Sequence, residues 1–323
     1  MIAYVDHYHQ DNALDSIIAR AQSGNPQEEG KSMTVLVLGS TGTVGPHVVR
    51  ALLAQGTQTR VIVRNGEKAR QIFGPAVEVI EGDINDHAIL HSATDGVDAL
   101  FLLTPHGNAQ ADLQLRVIRE LRRTAIKIVK LSATSSTVHA GGPLASREHW
   151  EVEEILKASG QPFVILRPNA FMQSAINQVM LPAIKATGKL PNAIAQAGLS
   201  MIDAADVGDV AARVLTKPDW DGETIALTGP RAITYYEIAK LVGSISGQQI
   251  EVVEITPADI RESSLARGLE LWEAEHFEEM YQLFRDDKAS FVTDSVERVT
   301  GHAAATIEDY IARNADVFRL AVA

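Results

Sequence analysis

Residues 34–45 read Thr-Val-Leu-Val-Leu-Gly-Ser-Thr-Gly-Thr-Val-Gly, and this stretch leaves few folds open to the chain. Val35 to Leu38 form the apolar run that a strand buried on both faces requires. Gly39, Gly42 and Gly45 follow at three-residue spacing, and Val44, Val48 and Leu52 then recur at helical spacing. Strand, glycine turn and helix in this order set a pyrophosphate against a helix N-terminus. There the unpaired backbone N–H groups and the helix dipole both favour negative charge. A Cβ at these glycines would block either the tight turn or the approach of phosphate. The predicted dinucleotide contacts are Gly39, Thr41, Gly42, Thr43, Val44 and Gly45, in a G-x-x-G-x-x-G frame.

From Met33 onward, strand and helix patterns alternate. Strands are predicted at 59–63, 77–80, 98–103, 127–131 and 163–166. Helices are predicted at 67–73, 87–94, around Leu113 to Leu121, and at 147–159. Strands separated by helical patterns imply parallel βαβ units, hence an α/β fold with a Rossmann-type doubly wound parallel sheet over residues 33–168. Beyond Pro168 the rhythm loosens, with helices at 175–186, 207–215 and 234–246 and short strands at 200–202, 223–227 and 250–254. The stretch 257–284 reads as largely helical and acidic (Glu262, Glu270, Glu273, Glu275, Glu278, Glu279), a solvated face. Residues 169–323 are therefore expected to form a smaller α/β C-terminal substrate-side lobe, some segments of which can return to the Rossmann sheet. Residues 1–32 read as an N-terminal extension, with two helical turns near Asp15 and a Gly/Pro/Gln/Glu-rich linker. Its His7-x-His9 pair lacks further ligands, and no metal site is expected.

Net charge and cysteine content narrow the function. The 323 residues carry a formal charge of −12, and the 29 basic side chains form no long cluster. Arg116, Arg119, Arg122 and Arg123 spread along one helix face, so direct nucleic-acid binding is not expected. There is no cysteine, which excludes disulfides, thiol catalysis and thiolate-bound zinc. No apolar run reaches the ~18 residues of a membrane span, and no basic start precedes an apolar block. A cytoplasmic protein with a small-molecule substrate is expected, with room for a homodimer or a protein partner.

Cofactor preference is set at the end of the second strand. An NAD site generally has Asp or Glu there, bonding the ribose hydroxyls. Here the strand ends Val61-Ile62-Val63-Arg64-Asn65, without a carboxylate. Arg64 can fork onto a 2′-phosphate or stack on adenine, with Lys68 one helical turn further on, so NADP is expected, with NADPH preferred over NADH. Asp83 is expected beside the adenine, with the backbone of Ile84 at the ring edge. Leu103, Thr104 and Pro105 are expected where the chain passes the nicotinamide ribose.

Several stretches carry a resemblance. They are Arg64, Gly82-Asp83, Ser132, His149-Trp-Glu-Val-Glu-Glu-Ile-Leu-Lys-Ala-Ser-Gly160 and Ile165-Leu-Arg-Pro-Asn-Ala-Phe-Met172. Asp203-Ala-Ala-Asp206-Val-Gly, Leu227-Thr-Gly229 and Thr300-Gly301-His302 follow in the second half. In this order they resemble the NmrA-like family, atypical short-chain dehydrogenase/reductase relatives that bind NAD(P). The similarity covers about residues 33–320. It implies one of two activities: NADPH-dependent reduction, as in the family's quinone reductases, or sensing of the NADP redox state without turnover.

One departure bears on mechanism. The wider superfamily's Tyr-x-x-x-Lys pattern falls on Ala145 and His149, counted back from Glu153 and Gly160. No tyrosine lies between residues 9 and 234, so the usual proton donor is missing. His149 shares a helix face with Val152, Glu153 and Leu156. It reads either as a cofactor or substrate contact able to act as an acid, or as a structural histidine. Ser132 is a candidate partner for the nicotinamide amide or a substrate carbonyl, or a strand-end cap, and His106 is a second candidate acid. Trp150, Phe171 and Met172 are candidate walls of an apolar substrate pocket, or plain core. The expected reaction is hydride transfer to a small electrophile. A quinone fits the missing tyrosine, because its oxyanion is resonance-stabilised.

Overall fold

The computed structural model describes residues 33–318; the predicted extension 1–32, with its histidine pair, lies outside them. The first half runs β1 (Thr34–Val37), α1 (Gly45–Ala54), β2 (Gln58–Val63), α2 (Gly66–Phe73), β3 (Val77–Glu81) and α3 (His87–Thr94). It continues through β4 (Ala99–Leu102), α4 (Gln110–Leu121), β5 (Lys127–Leu131), α5 (Leu144–Lys157) and β6 (Phe163–Pro168). A π-helical segment, Gln173–Met180, then runs into α6 (Leu181–Thr187), followed by β7 (Lys189–Asn192), α7 (Ala204–Thr216) and β8 (Thr224–Leu227). The remainder is α8 (Tyr235–Ser246), β9 (Glu251–Glu254), α9 (Pro257–Ala266), α10 (Leu271–Arg285), α11 (Ser295–Thr300), α12 (Ile307–Arg313) and α13 (Ala315–Phe318).

Seven strands form one parallel sheet in the order β3-β2-β1-β4-β5-β6-β8. The Rossmann-type α/β fold expected from the sequence is the fold observed. The apolar runs explain it. Val35 and Val37 point into one core with Val48, Leu52, Val207 and Val210, while Leu36 and Leu38 point into another with Leu100, Leu102, Val117 and Leu156. Helices therefore cover both faces, as a wholly buried parallel sheet requires. Strand order reverses between β1 and β4. At such a switch point the two following loops diverge and leave a crevice at the carboxyl edge of the sheet.

The chain after Pro168 comes back to this sheet. β8 pairs with β6, Leu166 opposite Ile225, and α7 lies against α1 with Gly208 under the His47 side chain. A further core gathers Met172, Ile176, Leu190, Ile238, Val242 and Tyr310. Three details differ from the sequence reading. β7 pairs in parallel with β9 as a separate ribbon, hidden in the sequence by its Pro191, which suits only an edge position. The predicted strand at 200–202 amounts to a single bridge between Phe171 and Ile202. The predicted helical run 257–284 is divided at Gly268, whose φ of +86° closes α9. Among the described residues no helix is long and apolar enough to cross a membrane.

Candidate active site

The glycine loop sits at the switch point. Gly39 has φ +66°, and a Cβ there would lie 2.7 Å from Leu103 Cγ and 2.9 Å from the Leu103 carbonyl, so the loop after β4 is pressed against it. At Gly45 a Cβ would stand 2.2 Å from the Gly39 carbonyl oxygen, because the loop folds back on itself. Gly42 is different. Its N–H donates to the Gly39 carbonyl at 3.1 Å, and its Cβ position meets only that oxygen, at 3.4 Å. Two of the glycines are thus required by the loop itself, whereas Gly42 leaves the surface bare. The helix behind the loop, α1, begins at Gly45 with no side-chain cap and no acidic residue in its first turn. Its N-terminal donors are left for an anion. These features fit a dinucleotide, with Thr41, Gly42, Thr43 and Val44 at the surface that would meet the pyrophosphate.

Arg64 follows β2 and is exposed, and Lys68 is exposed one turn into α2, whose cap Asn65 accepts the Lys68 N–H at 2.9 Å. Asp83, after β3, accepts from the backbone and side-chain nitrogens of Asn85 at 2.8 and 2.9 Å. These bonds, with a smaller contribution from Arg64, hold its carboxyl below the usual range. Ile84 is half-buried beside it. After β4, the Thr104 hydroxyl accepts from Gln114 at 3.0 Å, and Pro105 is exposed.

The interior of the site lies between α4, α5 and the carboxyl end of β5. His149 on α5 points inward, with Nδ1 2.8 Å from Lys130 Nζ and Nε2 2.6 Å from the amide of Gln110. Burial, then the Lys130 charge, push the imidazole well below its ordinary pKa, so it is neutral. Lys130 is wholly enclosed, at 0% exposure, and burial brings its ammonium down to about 7 against the opposing pull of Glu153. One turn beyond His149, the buried Glu153 accepts the Ser132 hydroxyl at 2.5 Å and a two-pronged contact from Arg167 at 3.0 and 2.5 Å.

A third side comes from α10. The His106 ring stands 5.6 Å from Trp272 and 6.1 Å from His276, and its Nε2 is 3.8 Å from Glu273. Trp272 is steadied by a 2.7 Å bond from its indole nitrogen to Glu270, which also accepts from Asn108 at 3.2 Å. His276 is buried, its Nδ1 without a partner, and burial lowers its pKa to about 4. His106 and His276 both lie within electrostatic reach of His149.

Residues 31–313 match the model of the NmrA-like family. The chain belongs to that family. It is 28% identical over 284 residues to the NAD(P)H azoreductase of Xenophilus azovorans, covering 88% of this chain and 99% of the relative. It is 30% identical over 288 residues to prestalk A differentiation protein A of Dictyostelium discoideum, covering 86% and 91%. Among solved structures, the NADPH-dependent quinone oxidoreductase of Escherichia coli in complex with NADPH superposes with a TM-score of 0.77 at 24% identity, over 87% of this chain and 99% of that one.

Within this NmrA-like frame the predicted residues divide. His149 and His106 meet in one cluster, and the glycine loop, Arg64 and Asp83 line the same edge of the sheet. Ser132 gives its hydroxyl to Glu153 rather than to the crevice. Met172 is 1% exposed in the core beside Gly229, so it walls no cleft, while Phe171 and Trp150 are half-buried. The start of α10, read from the sequence as a solvated acidic face, packs beside His106. Lys130 was missed. A lysine inside Lys-Ile-Val-Lys-Leu, at a central strand buried on both faces, was the signal that could have found it.

Proposed function

We propose that the chain is an NADPH-dependent reductase that transfers hydride to a small planar electrophile, a quinone being the best fit, without a tyrosine–lysine pair. The reading rests on one observation above the rest: a neutral, inward-pointing His149 held between Lys130 and Gln110 at the crevice of a dinucleotide fold. The relatives' names, an azoreductase and a quinone oxidoreductase, agree with electrophiles whose product anion is delocalised. Such an acceptor needs only one hydrogen bond as it takes charge, and an imidazole N–H can supply it.

In this reading the reduced nicotinamide supplies the hydride. The α1 N-terminus and glycine loop bind the pyrophosphate, and Arg64 with Lys68 reads the 2′-phosphate, which favours NADPH. Residues 33–168 carry the cofactor, and the later segments, above all α10 with Trp272, cover the acceptor. His106, Trp272 and His276 offer flat rings to a planar molecule and keep water from it.

Full-length protein with NADPH and a panel of quinones, azo compounds, enones and imines tests the reading by absorbance decay at 340 nm, near the reduced nicotinamide's ~340 nm band. Decay on a quinone or azo compound is the expected result. Tight NADPH binding with no decay on any acceptor would favour a redox sensor instead. That second reading is supported by the absent tyrosine and by a relative named as a differentiation protein.

A further inference from the structure

The proposed function uses Lys130 only as a neighbour of His149, yet its setting is unusual. A lysine with no exposed surface is rarely tolerated without a carboxylate partner. Glu153, on α5, is already engaged by Arg167 and Ser132. The hydrogen-bond partners of Lys130 Nζ are His149 Nδ1 at 2.8 Å and, at 3.5 Å, the Leu131 carbonyl. In its ammonium form Lys130 has donors only, so Nδ1 then accepts and the imidazole proton sits on Nε2. Nε2 faces the Gln110 amide at 2.6 Å, and a donor there cannot meet an NH2 group. The amide is therefore turned with its oxygen toward Nε2.

We propose that Lys130 is the positioning residue of this site: it fixes His149 as the Nε2–H tautomer, aimed at the acceptor, and replaces the proton that His149 gives up. This rests on the reductase reading. As the acceptor takes hydride from the reduced nicotinamide, its oxygen or second nitrogen takes the Nε2 proton, displacing the Gln110 oxygen as partner. Nδ1 takes a proton from Lys130, which is left as the neutral amine, and the imidazole stays uncharged throughout. Solvent then reprotonates the pair. A strand lysine acting through a helix histidine thus fills the place of a helix lysine beside a tyrosine.

The groups facing this pair are few. Lys130 meets Glu153 on α5 and Arg167 on β6, and His149 meets His106 after β4, His276 on α10 and Arg167. His276, with its pKa near 4, stays neutral across the useful range.

The experiment uses the full chain as wild type, Lys130→Met and Lys130→Arg, each checked for an unchanged melting temperature. Nitrogen-15 spectra of the histidine side chains report the His149 tautomer whether or not there is turnover. Wild type should show Nε2–H, Lys130→Arg should keep it, and Lys130→Met should give a mixture of tautomers. A wild-type Nδ1–H signal, or no change in Lys130→Met, overturns the proposal even if the protein is a good reductase. If Lys130→Met fails to fold, the wild-type and Lys130→Arg spectra still decide. In kinetics, Lys130→Met should lower kcat by ~10²-fold with the KM for NADPH within ~2-fold, the low end of general acid–base assistance. The wild-type kcat should fall as pH rises through about 7, where Lys130 loses its proton. That limb should be absent in Lys130→Arg, whose guanidinium stays charged, and should keep its position in His106→Gln. A limb that persists unchanged in Lys130→Arg overturns the proton-supply step. Absence of any turnover sinks the reductase reading alone, because the tautomer spectra stand without it.

Discussion

The His106 ring, just past β4, lies 5.6 Å from the Trp272 ring at the start of α10. These residues are far apart in sequence, and their meeting joins the first half of the chain to its later half, with His106 within electrostatic reach of His149. Trp272 shares this inward side of α10 with Glu273 and the buried His276, whereas Glu275 and Glu279 are exposed.

Trp272→Ala should therefore weaken the acceptor and spare the cofactor. A stacked aromatic contact is worth ~0.5–1.5 kcal/mol beyond its buried area, so the KM for a quinone should rise by roughly 2- to 12-fold. Steady-state kinetics beside NADPH titration calorimetry checks both halves. A change in NADPH affinity of similar size would mean that Trp272 supports the cofactor crevice instead.

The glycines of the loop should separate by role. Gly45→Ala drives a methyl into the Gly39 carbonyl, 2.2 Å away, and overpacking of this kind costs about 1–3 kcal/mol or more. Its melting temperature should drop. Gly42→Ala meets only an oxygen at 3.4 Å and should melt close to wild type. Its new methyl nevertheless covers the surface left for phosphate, so NADPH binding should weaken by roughly 10-fold or more, the scale of one lost charge-assisted bond. Thermal melts with and without NADPH distinguish the two.

Arg64 has no hydrogen bond or ion pair among the described residues and stands beside Asp83 at the end of β2. A charge-assisted bond to a 2′-phosphate contributes about 1.5–3 kcal/mol. Arg64→Ala should then weaken NADPH by roughly 10- to 100-fold and NADH far less. Equal losses for both cofactors would show that Arg64 stacks on the adenine or does nothing.

Glu153 is a different matter, because its work is structural. It has no exposed surface, and its two oxygens take Ser132 and Arg167 at once. Breaking a buried pair from one side leaves the other charge uncompensated, at about 3–5 kcal/mol. Glu153→Ala should fall in that range by urea unfolding, whereas Ser132→Ala, losing one hydrogen bond, should cost ~1–2 kcal/mol. A large kinetic effect of Ser132→Ala at unchanged stability would return Ser132 to the chemistry.

The sheet could be read from the sequence because its signals are local. Runs such as Leu36-Val37-Leu38 and Val164-Ile165-Leu166 have one use in a chain of this kind, and Gly39 and Gly45 announce the turn by the absence of a side chain. The site was legible only where it follows that turn. Its remaining parts depend on distances in space. Nothing local marks Glu270–His276 as a roof, since an acidic amphipathic helix looks the same whether its apolar side covers core or ligand. Ser132 looked like a ligand contact because its true partner, Glu153, lies 21 residues away on another element. Lys130 was visible as an anomaly, a charge within a buried strand, but its meaning needed the imidazole beside it. β7 was hidden by Pro191, a residue that argues against a strand unless the strand lies at an edge.

Acid should loosen this protein through its buried histidines. Burial lowers the pKa of His276 to about 4, and of His47, which packs against Gly208, also to about 4. In the unfolded chain each titrates near ~6.5. Between these values the unfolded state binds more protons than the folded one, so stability rises with pH. Their contribution is whole above about 6.5 and is lost progressively as pH falls toward 4. Asp206 acts the other way. Burial raises its carboxyl to about 6, so it stabilises the fold at low pH and that contribution disappears as pH climbs toward 6. The lowered histidines, His149 among them, outweigh the raised carboxyls of Asp206, Asp209 and Glu148, and the net slope between pH 4.5 and 6.5 should be positive. Urea midpoints at closely spaced pH values measure it. His276→Leu should flatten the slope while holding or raising stability at pH 5, since the buried, unpartnered Nδ1 is removed with the titration. At about 1.4 kcal/mol per pKa unit, and reduced for partial exposure, each histidine accounts for ~2–3 kcal/mol over the window. An unchanged slope in His276→Leu would mean that α10 lifts away before the imidazole takes its proton. The roof over His149 would then open in acid without unfolding the rest.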